Sequence, residues 1–378
     1  MRKILPWPVL LTAGIAALAM AGVIAPAAGG ERFTAPGAPH SRGMTGYVAN
    51  IGNGTLTPFN TATDKAGKPI RVGPEPFDMA VTPDGRTIYV LHDTSKGMVT
   101  PFSTVTRKAG KPIEVGETPT SIMITPNGRT AYVGSLYEGM ITPIDIRTNL
   151  AGKPIRVGGK GVGSMVITPD GKTLYVTSGS AEVTTISTAT NKVGRPIKTG
   201  ADESGILITP DGRTVYVLSH RGMLTPISTR TNKAAKPIKV GKQDGFMEVT
   251  PDSRTIYVET RLGTMVPVFT RTNTVGKPIK FGGTDTFGYT EITPDGRIVY
   301  VASPGAGTVT PFFTRTQKAG KPIKTGGQPR LIAITPDGRT AYVTDSTFGK
   351  VIPINTRTNK AGKPIRLGIG IQEIVFVP

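Results

Sequence analysis

The 378-residue chain contains no cysteine. That excludes disulfides, thiolate-ligated zinc, thiol catalysis and a lipid-modified N-terminal cysteine. Its single tryptophan, Trp7, falls in the N-terminal segment, and aromatic residues make up only 6% of the whole. Acids are scarce, 25 Asp and Glu against 45 Lys and Arg, for a formal net charge of +20. Beyond the first 27 residues no apolar run approaches the length needed to span a bilayer. No Ser–His–Asp pattern, phosphate-cradling Gly loop or His-rich metal motif is present. What the chain has in quantity is Gly (48) and Pro (33), together 81 of 378 residues. With 37% hydrophobic residues, this is the composition of a turn-rich globular protein with a real core.

Arg2 and Lys3 precede an Ala-rich apolar stretch from Val9 to Ala25 and then Ala25-Pro26-Ala27. A charged start, an apolar centre and a small-residue end predict an export signal over residues 1–27. An uncleaved anchor is the alternative. Residues 28–43, small and rich in Gly and Pro, are expected to form a flexible tether. Removing residues 1–27 leaves a charge of 43 − 25 = +18.

A fixed-period repeat dominates the remainder. Thr-Pro-Asp-Gly or a close variant begins at Thr82, Thr125, Thr168, Thr209, Thr250, Thr293 and Thr335, at spacings of 43, 43, 41, 41, 43 and 42 residues. A Tyr-Val pair follows each turn (Tyr89, Tyr132, Tyr175, Tyr216, Tyr257, Tyr300, Tyr342) and also stands alone at Tyr47. A Gly-Lys-Pro-Ile element recurs eight times, opening at residues 67, 110, 152, 194, 235, 276, 320 and 362. Each unit reads as four short strands. Strand a is the apolar run before the turn, b the Tyr-Val run, c the alternating segment typified by Met223 to Ile227, and d the Lys-Pro-Ile-Lys run. Pro and Gly suit the second and fourth positions of the a–b hairpin. Four antiparallel strands every forty-odd residues, without helical periodicity between them, predict an all-β chain, a β-propeller over residues 44–378.

The ends complete the pattern. The N-terminal partial unit supplies strands b, c and d but no a, and residues 371–378 (IQEIVFVP) look like strand a ending where its turn would begin. Closing the ring with strands from both termini leaves no open sheet interface. Seven complete blades and one composite make eight, with seven the alternative if the terminal pieces pack irregularly. Pro on most c strands (Pro58, Pro101, Pro143, Pro226, Pro311, Pro353) conflicts with a central position and requires a bulge or an outward-facing N–H. On the outer strand d, Lys-Pro blocks edge-to-edge pairing.

The TPDGRT-x-YV element and the KPI-x-VG that follows resemble the YVTN-repeat β-propellers, exported or surface proteins of bacteria and archaea. The resemblance covers about residues 44–378 and departs after Tyr-Val. It implies the fold; propellers host binding, lyase, lactonase and redox roles alike. Quinoprotein dehydrogenases share an eight-bladed plan but resemble Trp-rich blades, and no Trp follows residue 27 here.

Antiparallel order places the a–b and c–d turns at one end of the ring. The a–b turns each carry a base, Arg86, Arg129, Lys172, Arg213, Arg254, Arg297 and Arg339, and the c–d turns add more. This face is a candidate surface for a polyanion such as an anionic cell-envelope polymer; the competing reading is a solubilising turn copied by duplication. No aromatics interleave with these bases, which disfavours base stacking. The opposite face holds many of the acids (Glu75, Asp93, Glu117, Glu138, Asp202, Glu203, Asp244, Glu259, Asp285). His92 and His220 follow Tyr-Val there and are expected at the surface. Aligned on the turn, Glu248 and Glu291 sit two residues before it in adjacent blades, and Asp78 and Glu373 four before it in blades that ring closure makes neighbours. Strand a lines the central channel, so these four carboxylates are expected to face it, either solvated or around a Ca²⁺-type cation. The expectation is a secreted, monomeric binding or scaffold propeller without a cofactor or bound metal. The alternative is a lactonase-like hydrolase or lyase using the acid-bearing face.

Overall fold

The computed structural model describes residues 43–378 except 160, 201–202, 242–245, 261–262, 282–288 and 346. The proposed leader, and all of the tether but residue 43, lie outside them. Eight antiparallel sheets follow one another around a ring. Blade 1 is the composite: Ile371–Val377 (strand a) pairs with Thr45–Asn50 (b), which pairs with Thr55–Asn60 (c). Blades 2 to 8 then run through residues 76–114, 119–156, 165–198, 203–239, 247–280, 290–324 and 329–366. The seven-blade alternative is thereby excluded. Pro378 ends the chain where a turn Pro would stand, against Gly85 of blade 2, as Pro83 stands against Gly128 of blade 3. The described residues hold one short 3₁₀ turn (Pro304–Ala306) and no helix long and apolar enough to cross a membrane.

The hydrophobic core is divided among the seams between blades. Between blades 5 and 6, for instance, Leu218 and Leu224 pack against Met247, Val258 and Val268. At the closing seam Tyr342 and Val351 pack on Val48, Phe59 and Phe376. Alternate residues of each strand face opposite neighbours, so both faces of every sheet are apolar.

Each Tyr of the Tyr-Val pairs is buried in a seam, and its hydroxyl meets the c–d turn of the next blade. Tyr89, Tyr132, Tyr175, Tyr216 and Tyr300 donate to the side-chain oxygens of Asn149, Asn191, Asn232, Asn273 and Asn359 at 2.5–2.8 Å. Gln317 Nε2 donates to the Tyr257 oxygen (2.6 Å), Arg107 reaches Tyr47, and Tyr342 closes the circle by donating to Asp64 (2.9 Å). All eight partners have φ between 52° and 56°, a left-handed turn conformation that Asn and Asp tolerate best. Burial pushes the Tyr89 phenol up to about 12, so it stays a neutral donor at ordinary pH.

The outer strand is two two-residue pieces rather than one, for example Lys65–Ala66 and Ile70–Arg71, interrupted at Gly67-Lys68-Pro69. That break resolves the strand-c prolines. Pro58 pairs with Tyr47, and its carbonyl accepts from Gly67 N–H (2.7 Å) on the outer side. Within a strand a residue's N–H and C=O point to the same side, so the missing N–H faces the interruption, where nothing needs it. Seven blades repeat this, Pro267 included, and Thr185 takes the place in blade 4.

Deleting residues 371–378 is expected to abolish a single cooperative thermal transition. Tyr175→Phe keeps the ring shut and should cost about 1 kcal/mol, one net hydrogen bond. A truncated chain that melts cooperatively at the full-length temperature would rule out closure by the composite blade.

Candidate functional site: the channel wall and the charged rim

Strand a of every blade faces the central channel. Its start carries a bulge in blades 1, 2, 3 and 5, just before Glu373, Asp78, Ser121 and Gly205, and in blade 8 between Pro329 and Ile332. Such a bulge re-aims the side chain that follows it. Two tiers result. The tier four residues before the turn is Glu373, Asp78, Ser121, Ser164, Gly205, Phe246, Tyr289 and Leu331; the tier two before it holds Glu248 and Glu291 among apolar residues.

Asp78 is buried, and its carboxylate ties two blades: Oδ1 accepts from Met79 N–H (2.8 Å) and Oδ2 from Ile122 N–H of blade 3 (3.1 Å). Burial outweighs these bonds and lifts its pKa to about 6. Glu248, also buried, accepts from the Thr290 hydroxyl of blade 7 (3.1 Å). Burial raises Glu248 well above the carboxylate range, and repulsion from Glu291 adds to it. Glu291 keeps some solvent contact, yet burial in the channel wall lifts it to about 8. Glu373 is raised well above its ordinary value by burial first, then by Asp78 and Glu291. Tyr289, stacked on Phe246 at 4.7 Å between centroids, is raised by burial first, then feels Glu373, Arg330 and Asp78. The four carboxylates therefore interact pairwise around the wall from blade 6 through blades 7 and 1 to blade 2. Among the described residues no three His, Cys, Asp or Glu side chains converge as a metal site. Thr290 and Arg330 escaped the sequence reading, although Thr290 was signalled. It stands where all other blades have Met or Ile.

The acid-bearing face departs from expectation. His92 is fully buried at the end of strand b, with Nδ1 against the Pro74 carbonyl and Nε2 against the Thr100 hydroxyl (2.8 Å). Both nitrogens are occupied, and burial lowers its pKa, so it is a structural imidazole. His220 is exposed in a b–c turn. Glu259 is buried rather than displayed, and burial raises its pKa. Asp202, Asp244 and Asp285 lie outside the described residues.

On the turn face the seven a–b bases share their turns with six acids, 7 − 6 = +1. In each turn the Thr hydroxyl and a backbone N–H orient the Asp. At Asp84 the Thr82 hydroxyl (2.6 Å) and then Arg86 N–H (3.1 Å) hold the carboxyl below its ordinary range. Lys172, Arg213, Arg254, Arg297 and Arg339 then lie 3.6–3.9 Å from their own turn Asp. Arg129, beside Asn127, has no such acid. Exposed pairs of this kind add little stability, but they cancel the field of the ring. The unbalanced charge sits farther out. The two basic positions of Lys-Pro-Ile-Lys are occupied by Lys or Arg in 15 of 16 cases, Glu114 being the exception. All are exposed, and among the described residues none lies within ion-pairing distance of a carboxylate. Lys65, Lys108, Lys192, Lys233, Lys318 and Lys360 extend this belt to the c–d turns. Those turns join the a–b face through bonds such as Thr104 Oγ1 to the Gly85 carbonyl (2.7 Å).

No protein-family model matches the chain, and no curated protein does. Solved structures do. Dihydro-heme d1 dehydrogenase NirN in complex with DHE superposes with a TM-score of 0.77 at 15% identity, over 90% of this chain and 77% of that one. Hydrazine synthase of Kuenenia stuttgartiensis gives 0.60 at 21% identity over 75% and 96%. The β-propeller domain of Cps50 (Swd1) from Myceliophteria thermophila gives 0.60 at 10% over 76% and 98%. At these identities the likeness is one of fold: this chain is an eight-bladed β-propeller.

The channel carboxyls set a pH dependence with a definite sign. Glu291 has an ordinary value of 4.5 and a folded value of about 8. Its contribution is complete below pH 4.5 and is lost as pH rises through 8. The melting temperature is expected to fall between pH 5 and pH 8.5, and Glu291→Gln should flatten that fall and raise the value at pH 8.5. An unchanged pH profile in both Glu291→Gln and Glu248→Gln would contradict the assignment.

Proposed function

We propose that this protein is an exported propeller of the YVTN-repeat kind that works as a binding or scaffold module and engages a polyanion through its outer belt. The export half of the reading rests on residues 1–27 and on the repeat elements. The binding half rests on one observation, the Lys or Arg at 15 of 16 equivalent outer-strand positions, exposed and, among the described residues, without acid partners. A base repeated around a rim tracks a flexible polymer of phosphates without reading its sequence. Each contact releases counterions, which makes affinity steeply salt-dependent. The a–b bases from Arg86 to Arg339 are secondary on this reading, because all but Arg129 share their turns with an aspartate.

A second reading, a hydrolase or lyase, is favoured by Glu291 alone, a carboxylic acid whose burial in the channel wall keeps its proton on at neutral pH. Such a group has the makings of a general acid. The loss of His92 as a free base counts against it, and turnover of lactones or cyclic esters that disappears in Glu291→Gln would establish it.

The test is binding of the full chain to inorganic polyphosphate, titrated against salt. Replacing Lys321, Lys324, Lys363 and Arg366 by Gln is expected to lower the log–log salt slope by roughly 3. Replacing Arg213, Arg297 and Arg339 should change it by less than about 1. Equal losses from both sets, or no binding at low salt, would overturn the belt as the binding surface.

A further inference from the structure

The seam between blades 2 and 3 brings the one acid of the outer belt, Glu114, to buried hydroxyls that find no partner. In blade 2 the imidazole of His92 bridges the Pro74 carbonyl and the Thr100 hydroxyl, and its ring lies against Gly73. The corresponding residues of blade 3 are Ser135, Thr142 and Gly116. Ser135 is too short to reach Thr142. Both are buried (0% and 2% exposed), and neither hydroxyl has a hydrogen-bond partner. A buried hydroxyl left unsatisfied costs on the order of 1–3 kcal/mol, and native structures leave few of them. Blade 3 holds three of them, Ser121 on the channel strand and Ser135 and Thr142 at this seam.

The same place is a cavity of about 290 Å³ between blades 2 and 3, lined by Thr142 and Gly116 together with Glu114, Glu138, Val115 and Met140. Glu138 Oε2 and Ser135 Oγ both crowd the inner side of Gly116, where any side chain would collide with them. Glu114 is the one acid in the otherwise basic outer belt. Two carboxylates, the orphaned Thr142 hydroxyl and apolar walls thus line the cavity, with the Ser135 hydroxyl against Gly116 beside Glu138; at the Glu114 position the seven other blades place Lys or Arg.

We propose that this cavity binds a primary alkylammonium group, with the carboxylates of Glu114 and Glu138 pairing with the charge. The hydroxyls of Ser135 and Thr142 accept its N–H bonds, and Val115 and Met140 cover the first methylenes. An ammonium has three donors and no acceptor, which matches a site offering only oxygens that can accept. Among the described residues no three His, Cys, Asp or Glu side chains meet here, whereas hard-cation sites are built mainly from carboxylates and carbonyls. The size suits a short aliphatic amine, close to the lower limit for small-molecule sites.

The experiment is a titration of the full chain with 1,4-diaminobutane and with n-butylamine at low salt, followed by calorimetry and by the methyl resonance of Met140. Saturable binding that moves the Met140 signal is expected. Glu138→Gln and Glu114→Gln should each weaken it about tenfold, the worth of one charge-assisted hydrogen bond. Ser135→His copies the blade 2 arrangement. It is expected to fill the cavity, abolish binding and leave the melting temperature unchanged or higher, which separates loss of the site from loss of the fold. No saturable binding would overturn the proposal, as would binding indifferent to both Glu→Gln changes. So would calcium binding more tightly at the same residues and displacing the amine, because the site would then be a metal site.

Discussion

The ring depends on one contact made eight times: a buried Tyr hydroxyl on strand b of one blade meets the left-handed residue in the c–d turn of the next. Apolar packing alone would hold the seams but is tolerant of sliding. A phenol buried beneath a turn whose backbone is committed to positive φ has one partner within reach, so each latch sets the angle and height of the next blade. Any systematic error in that angle would accumulate around the circle and prevent Tyr342 from finding Asp64. The closing latch joins the last complete blade to the composite one, so the two ends of the chain are tied by the same chemistry as every other seam.

The architecture was legible because duplication wrote it repeatedly. The turn spacing gave the blade count, and Tyr-Val without a preceding strand a, matched by residues 371–378 without a following turn, gave the closure. The break in the outer strand was harder to read. Lys-Pro-Ile-Lys looks continuous, and only the observed carbonyl of Pro58 facing Gly67 explains both the interruption and the proline. The partner of each Tyr also stayed hidden, since the Asn of one turn lies almost sixty residues beyond its Tyr and nothing local announces the pairing.

The channel was partly legible. Alignment on the turn put Asp78, Glu248, Glu291 and Glu373 on the inner strands, yet alignment does not report burial, which raises their pKa values and makes Asp78 a strap between blades. Charge counting was misleading in the opposite way. It registered the base of each a–b turn without the Asp two residues earlier, so the excess charge of the turn face is carried by the c–d turns rather than by the a–b bases. His92 followed the same logic: its position after Tyr-Val suggested a loop, whereas the strand continues through it and the imidazole fills a seam. Departures from the repeat, namely Thr290 among Met and Ile, Glu114 among Lys and Arg, and His92 where four other blades have Ser, mark where this molecule differs from an ideal scaffold.

Hydrogen–deuterium exchange of the full chain with and without polyphosphate tests the assignment of the belt most directly. The account predicts slowed exchange in the outer strands around Ile70, Ile155, Ile238, Ile323 and Ile365, with the a–b turns unchanged. Protection concentrated at the turns of Arg86, Arg213 and Arg297, or along the channel strands of Glu248 and Glu291, would contradict it.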